Sequence, residues 1–425
     1  MIRKVVIKIS LVALLVLLVQ MSYAQFTLSG EIRPRAEYRH GYRQMPIPDS
    51  AAAAFISQRT RLNLDFANES FKTHISFQDV RVWGQMPQRQ YEPSVELHHG
   101  WVELLLTDSL SIRAGRQPLL YDNQRFLAIN NWIQPAQKHD VLLLMYMTPL
   151  GTLHFGTAFN QPGGLVDRNF HDIGTRYTVD NYKYMNFLWL NGQILPSARL
   201  SLLGMLEGYE NRQSLATYLR ATYSAYFILD AGKTQIMLNP AFQHGQTVDS
   251  RQIEAFYLGS NISREIMPGF RSTLGIEYLS GNSPHRADNI FRAFDPSLGS
   301  GHAFGGHMDY FTNYPRDTDG AGLINPFLIN SVSIGKRATL DTDIHLFYLA
   351  NDFIHENAQI NRYLGWETDF TFVYHLSNQA RLDIGYSMMF GTPGMEVIKG
   401  GSSDEWADWA YVMLTVRPVF FRSGS

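Results

Sequence analysis

FTLSGEIRPRAEYR, residues 26–39, separates cleanly into two alternating sets. One parity reads Phe26, Leu28, Gly30, Ile32, Pro34, Ala36, Tyr38; the other reads Thr27, Ser29, Glu31, Arg33, Arg35, Glu37, Arg39. Period two is the signature of a strand with one apolar and one polar face. In a soluble sandwich the apolar face points inward. In a membrane barrel it points at lipid, and the arginines line a lumen.

The alternation recurs along the chain. Thr60, Leu62, Leu64 and Phe66 oppose Arg59, Arg61, Asn63 and Asp65. Leu382, Ile384, Tyr386, Met388 and Phe390 oppose Arg381, Asp383 and Ser387. In another segment Leu364, Trp366, Phe370 and Phe372 are expected to face away from Glu367, Asp369 and Thr371. About eighteen such segments of roughly ten residues can be counted, the length a tilted strand needs to cross a bilayer. Turn residues such as Ala67-Asn68-Glu69, Thr107-Asp108-Ser109 and Asp230-Ala231-Gly232 alternate with long connections, notably 161–181 and 281–326. Tyr38, Tyr146, Tyr223, Tyr278, Tyr348, Trp366, Tyr374 and Trp406 recur at segment ends, as interfacial girdles require. The expected fold is all-β: one transmembrane antiparallel β-barrel of about eighteen strands with long extracellular loops.

The first residues differ. Arg3, Lys4 and Lys8 precede the apolar run Ile9 to Val19, and Ser22-Tyr23-Ala24 is a small-x-small site. This predicts a cleaved signal peptide over 1–24 and a barrel domain over 25–425 in the outer membrane. The absence of cysteine excludes disulfides, thiolate metal sites and a cysteine nucleophile. A net charge of −2 gives no reason to expect a nucleic-acid partner. No cofactor is expected.

Parity assigns a lumen set: Arg33, Arg35, Arg59, Arg61, Lys72, Arg113, Arg199, Arg220, Arg271 and Arg381. Guanidinium groups in a confined pore attract carboxylates and hold them in bidentate fashion. The bland alternative is that Glu31, Glu37, Glu207, Glu277 and Asp383, on the same parity, pair with them and brace the wall. His302 and His307 with Asp309 have metal-ligand side chains, but they are read as hydrogen-bonding and packing residues, with no metal expected. His74 and Ser76 share the inward face without a nucleophile motif, so no enzyme is expected. The connection 281–326 is expected to fold inward as a gate or plug.

The stretch AGRQPLLYDNQRF (114–126), followed by Trp132 and Lys138-His139-Asp140, resembles the alginate export family of outer-membrane barrels. So does GSGHAFGGHMDYF (299–311), through His302, Phe304, Gly306, Met308, Asp309, Tyr310 and Phe311. The resemblance adds Arg125 to the lumen set. It implies an electropositive channel that exports an anionic polysaccharide, with the lipid bilayer and periplasmic secretion partners around it. The alternative is a general anion or sugar-acid porin for uptake.

Overall fold

The computed structural model describes residues 24–89, 94–160, 181–211, 213–214 and 216–423. The expected signal segment, apart from Ala24, and the connection 161–180 lie outside the described residues.

Eighteen strands form the wall. They are β1 (Gln25–His40), β2 (Ala53–Ala67), β3 (Phe71–Val82), β4 (Glu96–Leu105), β5 (Leu110–Gln117), β6 (His139–Thr148), β7 (Gly151–Phe159), β8 (Tyr184–Leu195) and β9 (Ala198–Glu210). The second half comprises β10 (Thr217–Ala231), β11 (Thr234–Gln246), β12 (Gln252–Met267), β13 (Phe270–Leu279), β14 (Leu323–Ile334), β15 (Ala338–Leu349), β16 (Tyr363–Ser377), β17 (Ala380–Gly391) and β18 (Ala407–Val416). Two short segments, Ile290–Phe291 and Val419–Arg422, also join the sheet; the latter continues the line of β18. Each wall strand pairs antiparallel with the next, and β18 returns to β1 through pairs from Ile32↔Val416 to His40↔Asp408. Closure leaves no strand edge, so backbone donors and acceptors are met without water.

Alternation holds, with the apolar parity outside. On β1, Ile32 is 47% exposed while Arg33 is 3% exposed. Leu62, Ile75, Phe77, Leu202, Leu274, Ile384 and Val412 all face out, whereas Arg59, Gln78, Ser201, Glu277, Asp383 and Trp409 are buried. This is the reverse of a soluble core and suits hydrocarbon on the outside. Tyr38, Tyr146, Tyr223, Tyr278 and Trp406 face out as a girdle requires.

One parity expectation fails. Leu364 is fully buried although Phe370, on the same parity, is exposed. The register shifts there: Phe347 pairs with Gly365 but Tyr348 with Tyr363, and Gly365 has φ +136. That extra residue is a β-bulge, which flips the side chains beyond it.

Short turns lie at one end and long connections at the other, so the barrel has distinct mouths. Two connections fold into the lumen: residues 118–138 between β5 and β6, and 280–322 between β13 and β14. Leu119, Phe126 and Leu127 from the first meet Phe294, Leu298, Met308, Tyr310, Phe311 and Tyr314 from the second in one buried cluster. The inward fold expected of 281–326 is therefore seen, and 118–138 shares the lumen with it. Val141, Leu143, Phe187 and Met205, on the inward parity, are apolar because they pack on this cluster.

Candidate functional site

The inward loops are held by the charged residues of the wall. Arg33 donates to the carbonyls of Asn131 (2.8 Å), Trp132 (3.2 Å) and Ile133 (3.3 Å), and to Gln134 Oε1 (2.9 Å). Arg35 donates to the Trp132 carbonyl at 3.0 Å, while its guanidinium lies 4.2 Å from the Trp132 ring centre. Arg59 donates to Glu31 (2.7 Å), Asn131 Oδ1 (2.9 Å) and the Gln134 carbonyl (3.3 Å). Loop carbonyls so placed would otherwise be stranded away from water.

The two loops are joined by Arg125 and Trp132. Arg125 is fully enclosed, donates to Tyr314 (3.2 Å), and lies 3.2 Å from Glu277 and 4.4 Å from the Phe304 ring centre. Trp132 stacks on His302 with centroids 4.1 Å apart and planes 10° from parallel. His302 in turn shares a 2.8 Å hydrogen bond with Asp309, which also accepts from the Tyr42 hydroxyl. Burial pushes the His302 imidazole below its ordinary range even beside that carboxylate. Burial alone would raise Asp309, but His302, Tyr42 and Arg43 together hold it low.

Gly306 explains the diglycine in this segment. Its φ is +81, and a Cβ there would lie 2.4 Å from Glu367 Oε1. The backbone thus presses on Glu367, which accepts the Met308 N–H at 2.7 Å. Tyr310 donates to the carbonyls of Gly41 (2.7 Å) and Gln44 (2.9 Å), and Phe311 packs on Phe347. The motif residues fix a loop. His74 pairs with Asp65 and Ser76 with Asn63, not with each other.

Trp132 lines two cavities. The outer one, of about 360 Å³ on the long-loop side, is lined by Arg35, Arg39, Arg43 and Arg81 against Glu37 and Asp309. Arg35 and Arg39 share the single carboxylate of Glu37, and the Arg43 side chain is 56% exposed. Arg81 is tied to Asp79 at 2.6 Å. The inner cavity, of about 450 Å³ toward the short turns, is lined by Arg33 and Arg381 against Asp341, Asp343 and Asp383, with His302 and His307.

The structure sorts the sequence-predicted residues. Arg33, Arg35 and Arg381 reach a cavity. Arg59, Arg113, Arg125 and Arg220 brace: they pair with Glu31, Glu103 (2.5 Å), Glu277 and Glu207 (3.1 Å), and Arg220 also with Asp295 (2.6 Å). Arg61 donates to Gln78 at 2.6 Å, and its buried Nη2 has no partner. Lys72, Arg199 and Arg271 are exposed near the short turns. Arg43 and Arg81 are missing from the predicted residues, whereas Arg39 stands on the inward parity with Arg33 and Arg35. Arg43 lies on a connection that parity does not reach.

No family model matches this chain, and no curated protein matches it. Solved structures match over nearly the whole length. OccK3 (OpdO) of Pseudomonas aeruginosa is 13% identical, with TM-score 0.61, covering 93% of this chain and 96% of that one. A BenF-like porin from Pseudomonas fluorescens Pf-5 is 12% identical, with TM-score 0.62, covering 93% and 99%. OpdK of Pseudomonas aeruginosa, solved with vanillate, is 9% identical, with TM-score 0.58, covering 92% and 99%. At these identities the likeness establishes the fold: this chain has the eighteen-stranded barrel of outer-membrane porins. The assignment to the alginate export family is overturned, because the structural relatives are OccK-type and BenF-like porins. The physical reason lies in the motif residues themselves. Arg125, Trp132, His302 and Asp309 hold two inward loops together and Tyr121 ties the first of them to His154 of the wall, tasks set by the architecture rather than by a polysaccharide.

Proposed function

We propose that the chain is an outer-membrane channel for the uptake of small anionic solutes, sugar acids or aromatic carboxylates. The observation that carries this reading is the outer cavity. Two arginines there share one carboxylate, and beside them Arg43, half-exposed, lies a loose 3.7 Å from Asp309. Long loops face outward in barrels of this kind, so an anion arriving from outside meets the basic cavity first. Guanidinium forks match carboxylates in a way that water-solvated cations do not. A cavity of about 360 Å³ suits one small molecule. The vanillate bound in the OpdK structure is such a solute. Bracing by Arg59, Arg113, Arg125 and Arg220 keeps the lumen shape and is not itself the recognition element.

The test is solute entry into proteoliposomes, comparing galacturonate with uncharged galactose. Faster entry of the acid, reduced by Arg43→Gln, is the expected result. Equal rates for acid and neutral sugar would contradict the reading.

A further inference from the structure

His307 lies on the inward loop at the edge of the inner cavity, opposite two wall carboxylates. Its Nε2 is 3.6 Å from Asp343 Oδ2, and its Nδ1 is 3.9 Å from Asp369 Oδ1. One ligand atom from each of the three residues can be chosen so that all lie within 4.8 Å of one another. Asp369 comes from β16 and Asp343 from β15, paired directly across the two strands.

A cluster of acids on a water-facing wall is unremarkable by itself; the second observation is what these acids do not touch. The Asp369 side chain is 1% exposed, and neither of its carboxylate oxygens accepts from an N–H or hydroxyl donor; its one hydrogen-bonding neighbour is the carboxyl of Glu367. Asp343 Oδ1 and Glu367 Oε2 are likewise buried without an N–H or hydroxyl donor. Buried carboxylates elsewhere in the barrel are met by arginine, as Glu31, Glu207 and Glu277 are. Here no lysine or arginine forms an ion pair with Asp343, Glu367 or Asp369 among the described residues. Buried charge without a partner is unfavourable, and buried polar groups in native proteins are almost always satisfied.

We infer that His307, Asp343 and Asp369 form a binding site for a divalent transition-metal ion of the Zn²⁺ type. One imidazole nitrogen with two carboxylates is a zinc-like donor set, whereas calcium takes oxygen ligands alone. Tetrahedral zinc with bonds near 2.0–2.2 Å sets its ligand atoms about 3.3 Å apart, so a small inward movement of His307 completes the site. The ion enters from the inner cavity, and water takes the remaining position. Because His307 belongs to the loop and both aspartates to the wall, the ion would clamp segment 280–322 against β15 and β16. This inference is independent of the solute proposed above.

The test uses the full chain folded in detergent, stripped with a chelator and titrated with ZnCl₂, with bound zinc counted by mass spectrometry. One equivalent is expected. His307→Ala and Asp369→Asn should each weaken zinc binding by at least about 100-fold, since loss of even an outer partner of a metal site costs 10–100-fold. Circular dichroism confirms folding. His307 is on a loop, so its variant remains informative if the wall variant fails to assemble. His99→Ala, in the separate cluster formed by His74, His98 and His99, should leave binding unchanged. No saturable uptake, uptake of Ca²⁺ in preference to Zn²⁺, or zinc lost in His99→Ala but retained in His307→Ala would overturn the inference.

Discussion

The two cavities that meet at Trp132 are cut from the same barrel, yet they handle charge in opposite ways. In the outer cavity arginines outnumber acids, and two of them divide one carboxylate. In the inner cavity Arg33 is committed to loop carbonyls, and three aspartates share the lining with it and Arg381. The difference teaches that an inward arginine is not by itself a binding residue. What it does depends on whether a loop has already taken its donors. Where the loop passes close, as at Arg33 and Arg35, guanidinium groups hold backbone; where it stands away, as at Arg39 and Arg43, they reach solvent and whatever anion arrives.

The partition between the cavities is the first thing to break. Arg125→Met leaves Glu277 buried without its cation. It is expected to cost about 3–5 kcal/mol, read as a lowered unfolding midpoint in urea with folded detergent-solubilised protein. An unchanged midpoint would remove Arg125 from the bracing group. Trp132→Ala joins the two spaces by deleting the stack on His302 and the contact with Arg35. A stability loss of about 0.5–2 kcal/mol, together with a larger single-channel conductance, is the expected outcome.

Acid should weaken the same partition. His302 is held below its ordinary range, so the unfolded chain binds the proton more readily. Stability then falls as pH drops below the ordinary imidazole value of about 6.5. Asp309 is also held low, so its contribution is present above the ordinary carboxylate value and is lost as pH falls through its lower folded value. Both groups act in the same direction. Proteolysis between 280 and 322 should therefore be faster at pH 4 than at pH 7 with an acid-tolerant protease, corrected for its activity on an unfolded substrate. The smallest effect on stability belongs to Arg43→Gln, expected within about 0.5 kcal/mol of the parent. Its value lies in the contrast: anion selectivity should drop while the urea midpoint stays put. Arg59→Gln should do the reverse, since Arg59 spends its donors on Glu31 and the loop.

Much of the fold was legible because a closed barrel leaves a strict record. Ile32 to Tyr38 shows it alone: Ile32, Ala36 and Tyr38 are exposed on the outer face, and Arg33, Arg35 and Glu37 are buried in the lumen. Leu364 departs from parity because a single inserted residue at Gly365 resets the period; glycine in a strand often marks such a bulge, but alternation alone does not count it. The site was less legible. Parity placed Arg33, Arg59 and Arg220 on the inward face but could not say which carboxylates lie beside them, since register across strands sets those distances. The pairing of Arg125 with Glu277 spans 152 positions in sequence and arises only when 118–138 folds inward. The place of His307 opposite Asp343 and Asp369 is likewise a product of loop against wall. The family resemblance misled for a related reason: short motifs that anchor inward loops report architecture before they report cargo.

The measurement that tests the central claim most directly is the reversal potential of single channels in a planar bilayer under a KCl gradient, with vanillate or galacturonate then added to each side in turn. The account predicts an anion-selective current, interrupted at lower carboxylate concentration from the long-loop side than from the short-turn side. A cation-selective current, or an anion current that neither carboxylate disturbs from either side, would contradict it.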